Sequence, residues 1–314
     1  MIKKVAVIGS GVMGCGIAQS FAAEGYQVAV NDIKQEFLDR AKATISRQID
    51  LMRQEGMGID KQATMRQLQL TTDLSEAVRD ADWVIEAIPE VIELKWQLYK
   101  RLKALLKPSA IVSSNTSTFP LSVLTQEEDF GGHFLITHFF NPAHLIPLVE
   151  IVKNTSTSAT AVQEVVDLLE RSGKKPIVLK KEINGFIANR LQSALMREAF
   201  ALVAQGVAEP EDIDRAVTEG IGFRWAFVGP TRIADFGGLD TWKRVLDNIA
   251  PDLDKSSGAP ELMNQQVAAH ALGAKSGGGL YNYDGNEVER RTTARDVAFV
   301  RLAQLKREQN LQDA

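Results

Sequence analysis

The sequence predicts an α/β protein, a doubly wound and mostly parallel sheet followed by an all-α C-terminal domain. Three observations carry that expectation. Short β-branched runs alternate with helical patterns through the first half of the chain, a glycine-rich turn follows the first of those runs, and after about residue 182 helical patterns take over alone. Strands that are apolar on both faces belong to sheets covered by helices on each side.

Taken in order, Val5-Ala-Val-Ile8 reads as a buried strand, 12–24 as a helix and Val28-Ala-Val30 as the next strand. A long helical region over about 34–66 leads to a short strand around Leu68–Thr71 and another at Val84-Ile85. A helix near 91–106 follows, then strands at Ala110–Ser113, Leu135–Phe139 and Leu148–Val152, a helix near 159–172 and a strand at Pro176–Leu179. Beyond these, helical patterns occupy roughly 186–206, 210–219, 230–250, 260–271 and 287–308. The last of them alternates charges, which reads as a solvated face. The change of pattern marks a boundary with Lys180-Lys-Glu-Ile-Asn-Gly185 as hinge, so domains of 1–183 and 184–314 are expected.

A length of 314 residues fits two domains. Hydrophobic residues at 45% and charged residues at 24% exclude a disordered or fibrous chain. The 36 basic residues against 40 acidic ones give a formal net charge of −4, without the broad basic footprint of a nucleic-acid partner. Cys15 is the only cysteine, so no intramolecular disulfide can form, and a reducing compartment, the cytoplasm, is expected. The apolar run at Val5–Ile8 is too short for a signal-peptide core. The longest stretch free of Asp, Glu, Lys and Arg, Phe130–Val149, carries three His, an Asn and two Pro, so no transmembrane segment and no membrane partner are expected.

Gly9-Ser10-Gly11-Val12-Met13-Gly14 has the Gly-x-Gly-x-x-Gly pattern, follows a predicted strand and opens a predicted helix. In that setting the first glycine permits the tight turn, the second lets backbone N–H groups approach a pyrophosphate, and the third lets helix and strand pack closely. Asp32 lies 21 residues after Gly11, where a carboxylate can accept hydrogen bonds from an adenosine ribose and repel a 2′-phosphate. The expected cofactor is therefore NAD and not NADP, with Lys34 nearby weakening the discrimination slightly. Cys15, just inside the helix, reads as a small packing residue.

His133, His138 and His144 fall within twelve residues, which raises a metal site. His133 and His138 point to opposite faces of an extended chain, Asn141-Pro142 interrupts the path to His144, and no cysteine pair or carboxylate cluster completes a ligand set. No metal is expected. His138 ends an apolar run, at the edge of a doubly wound sheet where ligands bind. Glu150 shares a strand face with Leu148 and Val152, and a partly buried carboxylate needs a partner. A His–carboxylate pair is the usual arrangement of a positioned general base with a fixed tautomer.

Asn115-Thr-Ser117, His138-Phe-Phe-Asn-Pro142, Leu148-Val-Glu150, Gly185-Phe-Ile-Ala-Asn-Arg190 and Gly229-Pro230, in this order after the glycine turn, resemble the L-3-hydroxyacyl-CoA dehydrogenase family over nearly the whole chain. The resemblance implies a Rossmann-type domain joined to a helical domain that mediates dimerisation, with NAD as cofactor and a small-molecule substrate. It implies that His138 is the catalytic base and Glu150 its orienting partner, with Ser117 and Asn189 contacting substrate and nicotinamide. It further implies cofactor contacts at Gly9, Gly11, Val12, Met13, Gly14, Asp32, Ala87, Glu90, Lys95, Asn115, Asn141 and Lys275. The expected activity is reversible oxidation of the 3-hydroxyl of a short L-3-hydroxyacyl-CoA, placed in fatty acid metabolism.

One region departs from the fatty-acyl members, which usually read Asn-Pro-Val-Pro-Val-Met-Lys-Leu-Val-Glu where this chain has Asn141-Pro-Ala-His-Leu-Ile-Pro-Leu-Val-Glu150. That form, with Phe223-Arg-Trp-Ala-Phe227 and Arg301-Leu-Ala-Gln-Leu-Lys-Arg307, is similar to relatives acting on free acids, the L-gulonate 3-dehydrogenase, lens-crystallin and carnitine dehydrogenase branch. Phe139-Phe140 and Ala274-Lys-Ser-Gly-Gly-Gly-Leu-Tyr281 look like the acyl-CoA group. Dehydrogenation of a free 3-hydroxy acid is the alternative, and a non-catalytic NAD-binding protein is a third reading. A CoA substrate would find cations on 34–66, including Lys34, Arg40, Arg47, Arg53 and Lys61, though five acids share that excursion; a free carboxylate would call on Arg190 or Arg224. Phe186, Leu191, Leu195, Phe200, Leu202, Trp225, Phe227, Phe236, Leu239 and Trp242 supply more apolar surface than isolated helices could cover, which predicts a homodimer through the helical domain.

Overall fold

A computed structural model describes residues 2–308. The final six residues of the expected 184–314 domain lie outside the described residues. The chain divides into two compact units: residues up to Ile187 together with Asp296–Ala303, and Ala188–Arg295 together with the chain from Gln304.

The first unit begins with β1 (Lys4–Ile8), α1 (Val12–Ala23), β2 (Gln27–Asn31), α2 (Gln35–Gln54), α3 (Lys61–Arg66), β3 (Leu68–Thr71), α4 (Leu74–Val78) and β4 (Trp83–Glu86). It continues with α5 (Ile92–Leu105), β5 (Ile111–Ser114), α6 (Leu121–Leu124), β6 (Phe134–Phe139), β7 (Leu148–Val152), α7 (Ala159–Arg171) and β8 (Lys175–Val178). The strands form one eight-stranded sheet in the order β3-β2-β1-β4-β5-β6-β7-β8. All pairings are parallel except β6 with β7. Successive residues of a strand face opposite sides. Val5 and Val7 of β1 accordingly join one buried cluster with Ile17, Phe21 and Ile45, while Ala6 and Ile8 join another with Leu98, Tyr99 and Leu102. Two helical layers are thus sealed against one sheet, which is the doubly wound fold expected.

Several expected boundaries shift for local reasons. The helical region at 34–66 is two helices, because Gly56 takes a positive φ and Asp60 caps α3 through the Ala63 N–H. The short helices α4 and α6 escaped the sequence reading, α4 being started by Asp73 accepting from the Ser75 and Glu76 N–H groups.

The second unit holds α8 (Ala188–Ala204), α9 (Pro210–Ala216), a π turn at Val217–Ile221, α10 (Gly222–Trp225), α11 (Pro230–Phe236), α12 (Leu239–Ile249) and α13 (Glu261–Ala268). The expected helix at 230–250 breaks into α11 and α12 at Gly237-Gly238, where Gly238 has φ +87. The last helix, α14 (Glu287–Glu308), is continuous as expected but not wholly a solvated face. Its Val300 is fully buried in a small cluster with Met52 and Leu145, and Arg301 Nε lies 2.8 Å from Glu55 Oε2, so residues 296–303 are part of the first unit.

Candidate active site

The sheet reverses its winding between β1 and β4, and in such folds ligands bind at that switch point, outside the carboxyl ends of the strands. Gly9 follows β1 with φ +100, and a Cβ there would lie 2.5 Å from Ala87 O after β4. A Cβ on Gly14 would collide with Gly9 O, whereas one on Gly11 would meet nothing within 4 Å. The outer glycines are therefore demanded by packing, and the middle one leaves open space above the start of α1. Gly11 is also the N-cap of α1 and supplies no side-chain cap, so first-turn N–H groups remain for an anion. This is a cradle that a side chain would fill and a pyrophosphate fits.

Asp32, at the end of β2, takes Ser10 N and Ser10 Oγ on Oδ2, both at 2.7 Å, and Ile33 N on Oδ1 at 2.7 Å. A carboxylate has about four acceptor sites, so capacity remains for a ribose diol. Lys34 lies over the Phe37 ring at 5.6 Å, a placement that occupies its ammonium beside a neighbour on α2.

His138 and Glu150 face each other directly across the antiparallel β6–β7 ladder. Cross-strand partners share a face, with Cβ atoms about 5 Å apart, so register alone sets the pair. His138 Nδ1 stands 2.8 Å from Glu150 Oε2, and Ser117 Oγ stands 3.1 Å from His138 Nε2. Glu150 is fully buried, beyond the partial burial expected, and its Oε1 accepts the Ile187 N–H at 2.9 Å. Phe140 and Phe186 flank the imidazole, with ring centroids at 4.5 and 5.4 Å. Phe186 has φ 51, a left-handed backbone that costs an L-residue of order 1–3 kcal/mol and is held here beside the dyad.

The other expected residues of the first unit take structural partners that sequence alone does not disclose. Asn115 Oδ1 accepts the Phe139 N–H at 2.9 Å, tying the ends of β5 and β6 together. Lys95 is only 1% exposed and bridges Glu86 at 2.7 Å and Glu90 at 3.1 Å. Asn141 is exposed beside a cis Asn141-Pro142 bond. Asn189 and Lys275 belong to the second unit; Asn189 Oδ1 accepts from Gln192 Nε2 at 2.8 Å, and Lys275 is exposed. Glu86, missed in the sequence reading, gave the same signal as Glu150: a single acid in an apolar strand, Trp83-Val-Ile-Glu86. Among the described residues no group of three or more His, Cys, Asp or Glu side chains could hold a metal, and no helix is long and apolar enough to cross a membrane.

A dinucleotide cradle at the switch point beside a buried His–Glu dyad defines a nicotinamide-dependent oxidoreductase. Comparison with known proteins narrows this. Residues 4–183 match the 3-hydroxyacyl-CoA dehydrogenase NAD binding domain and residues 185–283 match the C-terminal domain of the same enzymes, and the chain belongs to that family. It is 38% identical over 283 residues to a probable 3-hydroxybutyryl-CoA dehydrogenase of Deinococcus radiodurans, covering 89% of this chain and all of that one. It is also 38% identical to an L-carnitine dehydrogenase of Streptomyces griseus, over 80% of this chain and 75% of the relative. Among solved structures, 5-formyl-3-hydroxy-2-methylpyridine 4-carboxylic acid 5-dehydrogenase, described as an NAD+ dependent dismutase, aligns with a TM-score of 0.91 at 32% identity, covering 97% of this chain and 98% of that one. The cofactor is NAD, and the protein is a dehydrogenase.

Proposed function

We propose that the chain catalyses reversible oxidation of the 3-hydroxyl of a short L-3-hydroxyacyl-CoA to the 3-keto form. The observation that carries this reading is the line Ser117 Oγ, His138 Nε2, His138 Nδ1, Glu150 Oε2, with successive separations of 3.1 and 2.8 Å between side chains. His138 Nε2 takes the substrate hydroxyl proton in oxidation and returns it in reduction. Glu150 holds Nδ1–H, fixes the tautomer and stabilises the imidazolium. The Ile187 N–H on the other carboxylate oxygen keeps Glu150 from turning away. Ser117 supplies a hydroxyl beside Nε2 for the substrate oxygen. Bound NAD supplies the hydride acceptor. Its pyrophosphate is assigned to Gly9, Gly11, Val12, Met13 and Gly14, its ribose to Asp32, and further contacts to Ala87, Glu90, Lys95, Asn115, Asn141 and Lys275; Asn189 is assigned to substrate and nicotinamide.

Residues 1–183 then form the cofactor domain and 184–314 the substrate and dimerisation domain, in a cytoplasmic homodimer of fatty acid metabolism. Support for the dimer comes from the second unit, none of whose described residues is buried. On α12, Leu239, Trp242, Leu246 and Ile249 recur at helical spacing, and Leu239 and Leu246 are 64% and 56% exposed. A second copy of this chain is the occupant we assign to that stripe.

The alternative substrate, a free hydroxy acid, is favoured by the state of the cations on 34–66. Arg40 pairs with Glu36 at 3.0 Å and Lys61 with Asp50 at 2.6 Å, which leaves less charge to receive CoA phosphates. The names of the carnitine and pyridine-carboxylate relatives point the same way. The test is kcat/KM for L-3-hydroxybutyryl-CoA against free L-3-hydroxybutyrate, L-gulonate and L-carnitine. Preference for the thioester is expected; a free acid favoured by more than about tenfold, or about 1.4 kcal/mol, replaces it, and silence on every substrate favours the non-catalytic reading.

A further inference from the structure

We infer that Glu86, which has no role in the reading above, is a positioning residue for the reaction: through Lys95 and Glu90 it fixes the loop that sets Ser117 against His138. The inference rests on the assignment of Ser117 and His138 to the working site.

The geometry runs from the sheet outward. Glu86 ends β4, is 0% exposed, and has both carboxylate oxygens doubly engaged. Oε1 accepts from Lys95 Nζ at 2.7 Å and Ile88 N at 2.9 Å; Oε2 accepts from Tyr99 OH at 2.8 Å and Ser114 Oγ at 2.6 Å. Four donors exhaust what a carboxylate can accept in plane, so it cannot rotate. Lys95 Nζ, held there, also meets Glu90 Oε2 at 3.1 Å. The other Glu90 oxygen gathers the loop: Thr116 Oγ1, Thr118 Oγ1 at 2.9 Å, and the N–H groups of Ser117 at 3.2 Å and Thr118 at 3.3 Å. The loop's start is anchored to the same residue, because Asn115 N donates to the Glu86 carbonyl at 2.8 Å. Ser117 is thus pinned on both sides by a chain of contacts that begins at Glu86.

Two electrostatic facts agree with this. Burial raises the Glu90 carboxyl, but the Thr116 hydroxyl, the Lys95 ammonium and the Thr118 hydroxyl outweigh it and hold Glu90 below the usual carboxylate range. Burial and then the Glu86 charge push the Tyr99 hydroxyl well above its ordinary value, so it stays a donor. Stability alone is a poor reason for such a cluster, since desolvation of a buried ion pair cancels most of its attraction and apolar replacements are often neutral. What the charges add is direction.

The experiment is a mutant cycle read by kcat. Ser117→Ala is measured in the wild-type enzyme and in the Glu86→Gln/Lys95→Met double variant, which removes both buried charges together. The double variant is expected to lose about tenfold or more in kcat, and Ser117→Ala is expected to cost at least about threefold less there than in the wild type. A purely structural cluster would leave the Ser117 penalty equal in both backgrounds, and that result, or wild-type kcat in the double variant, overturns the inference. Should the double variant not fold, Thr116→Val removes one of the four donors on Glu90 while keeping the ion pair, and a smaller loss of the same coupling is expected of it, an unchanged Ser117 penalty overturning the inference. A Ser117→Ala change without effect in the wild type overturns the inference together with the site assignment beneath it, and is distinguishable from the other outcomes because it appears before any Glu86 variant is made.

Discussion

The two units handle burial in opposite ways. The first buries ionisable groups wholesale: Glu86, Lys95, His138 and Glu150 are each less than 5% exposed, and each has partners at hydrogen-bond distance. The second buries none of its described residues and leaves large apolar ones such as Phe223, Phe236, Leu239 and Leu246 in solvent. At about 25 cal/mol per Å² of apolar surface removed from water, those faces carry association energy that the isolated chain does not collect. Under the proposed function the difference divides the labour: the first unit holds the His–Glu chemistry and the second offers the face for a second copy.

The deepest break in that contrast comes from the dyad. His138→Gln should lower kcat about 10²–10⁴-fold with NAD affinity little changed, measured by steady-state kinetics and cofactor titration; wild-type turnover would sink the base assignment. Next in size is the cofactor edge of the first unit. Repulsion between Asp32 and a 2′-phosphate should favour NAD over NADP in kcat/KM by about 1–4 kcal/mol, and equal values would show that Lys34 reaches the phosphate instead of resting on Phe37.

A smaller effect probes the first unit's core by pH. Burial first, and the Asp32 charge second, push the Cys15 thiol from 9.0 to about 11. In the window between those values the unfolded chain ionises and the folded one does not. Stability should therefore be intact below about pH 9 and decline as pH rises towards 11, by at most about 2–3 kcal/mol from this group. Denaturant midpoints of wild type and Cys15→Ala across that range check it; parallel curves would refute the burial argument. In the second unit the energetic effect on the single chain is least. Leu246→Asp should change the stability of a monomer by no more than about 0.5 kcal/mol yet abolish dimers at micromolar concentration, as read by light scattering, and a wild-type monomer would remove the basis for that contrast.

Much of this was legible in the chain. The strands and their doubly wound, mostly parallel arrangement followed from β-branched runs and the glycine turn, and the dyad from a histidine and an acid in successive apolar runs, whereas the strand order and the facing register did not. Glu86 announced itself as Glu150 did, but its partners lie at Lys95, Tyr99 and Ser114. Sequence spacing cannot reveal that α5, which carries Lys95 and Tyr99, and β5, which carries Ser114, meet at one carboxylate on β4. Lys95 illustrates the limit well: the resemblance implied a cofactor contact, and tertiary packing gave it two carboxylates of its own. The terminal helix hid its anchor for another reason, since one buried Val300 among alternating charges leaves no periodic trace.

The opposed register of His138 and Glu150 carries a consequence for how such a protein can change over time. Along a strand the side chains switch faces with every residue, so slipping the pairing by one place would keep the ladder and point the acid away from the imidazole. The connection from Phe140 to Pro147 therefore works as a counter. Between Asn141 and Glu150 this chain differs at several positions from the form to which it was compared above, while both spell ten residues. For the proposed base the number of residues between the two strands matters as much as their identity, because it is the register that brings the acid to the imidazole.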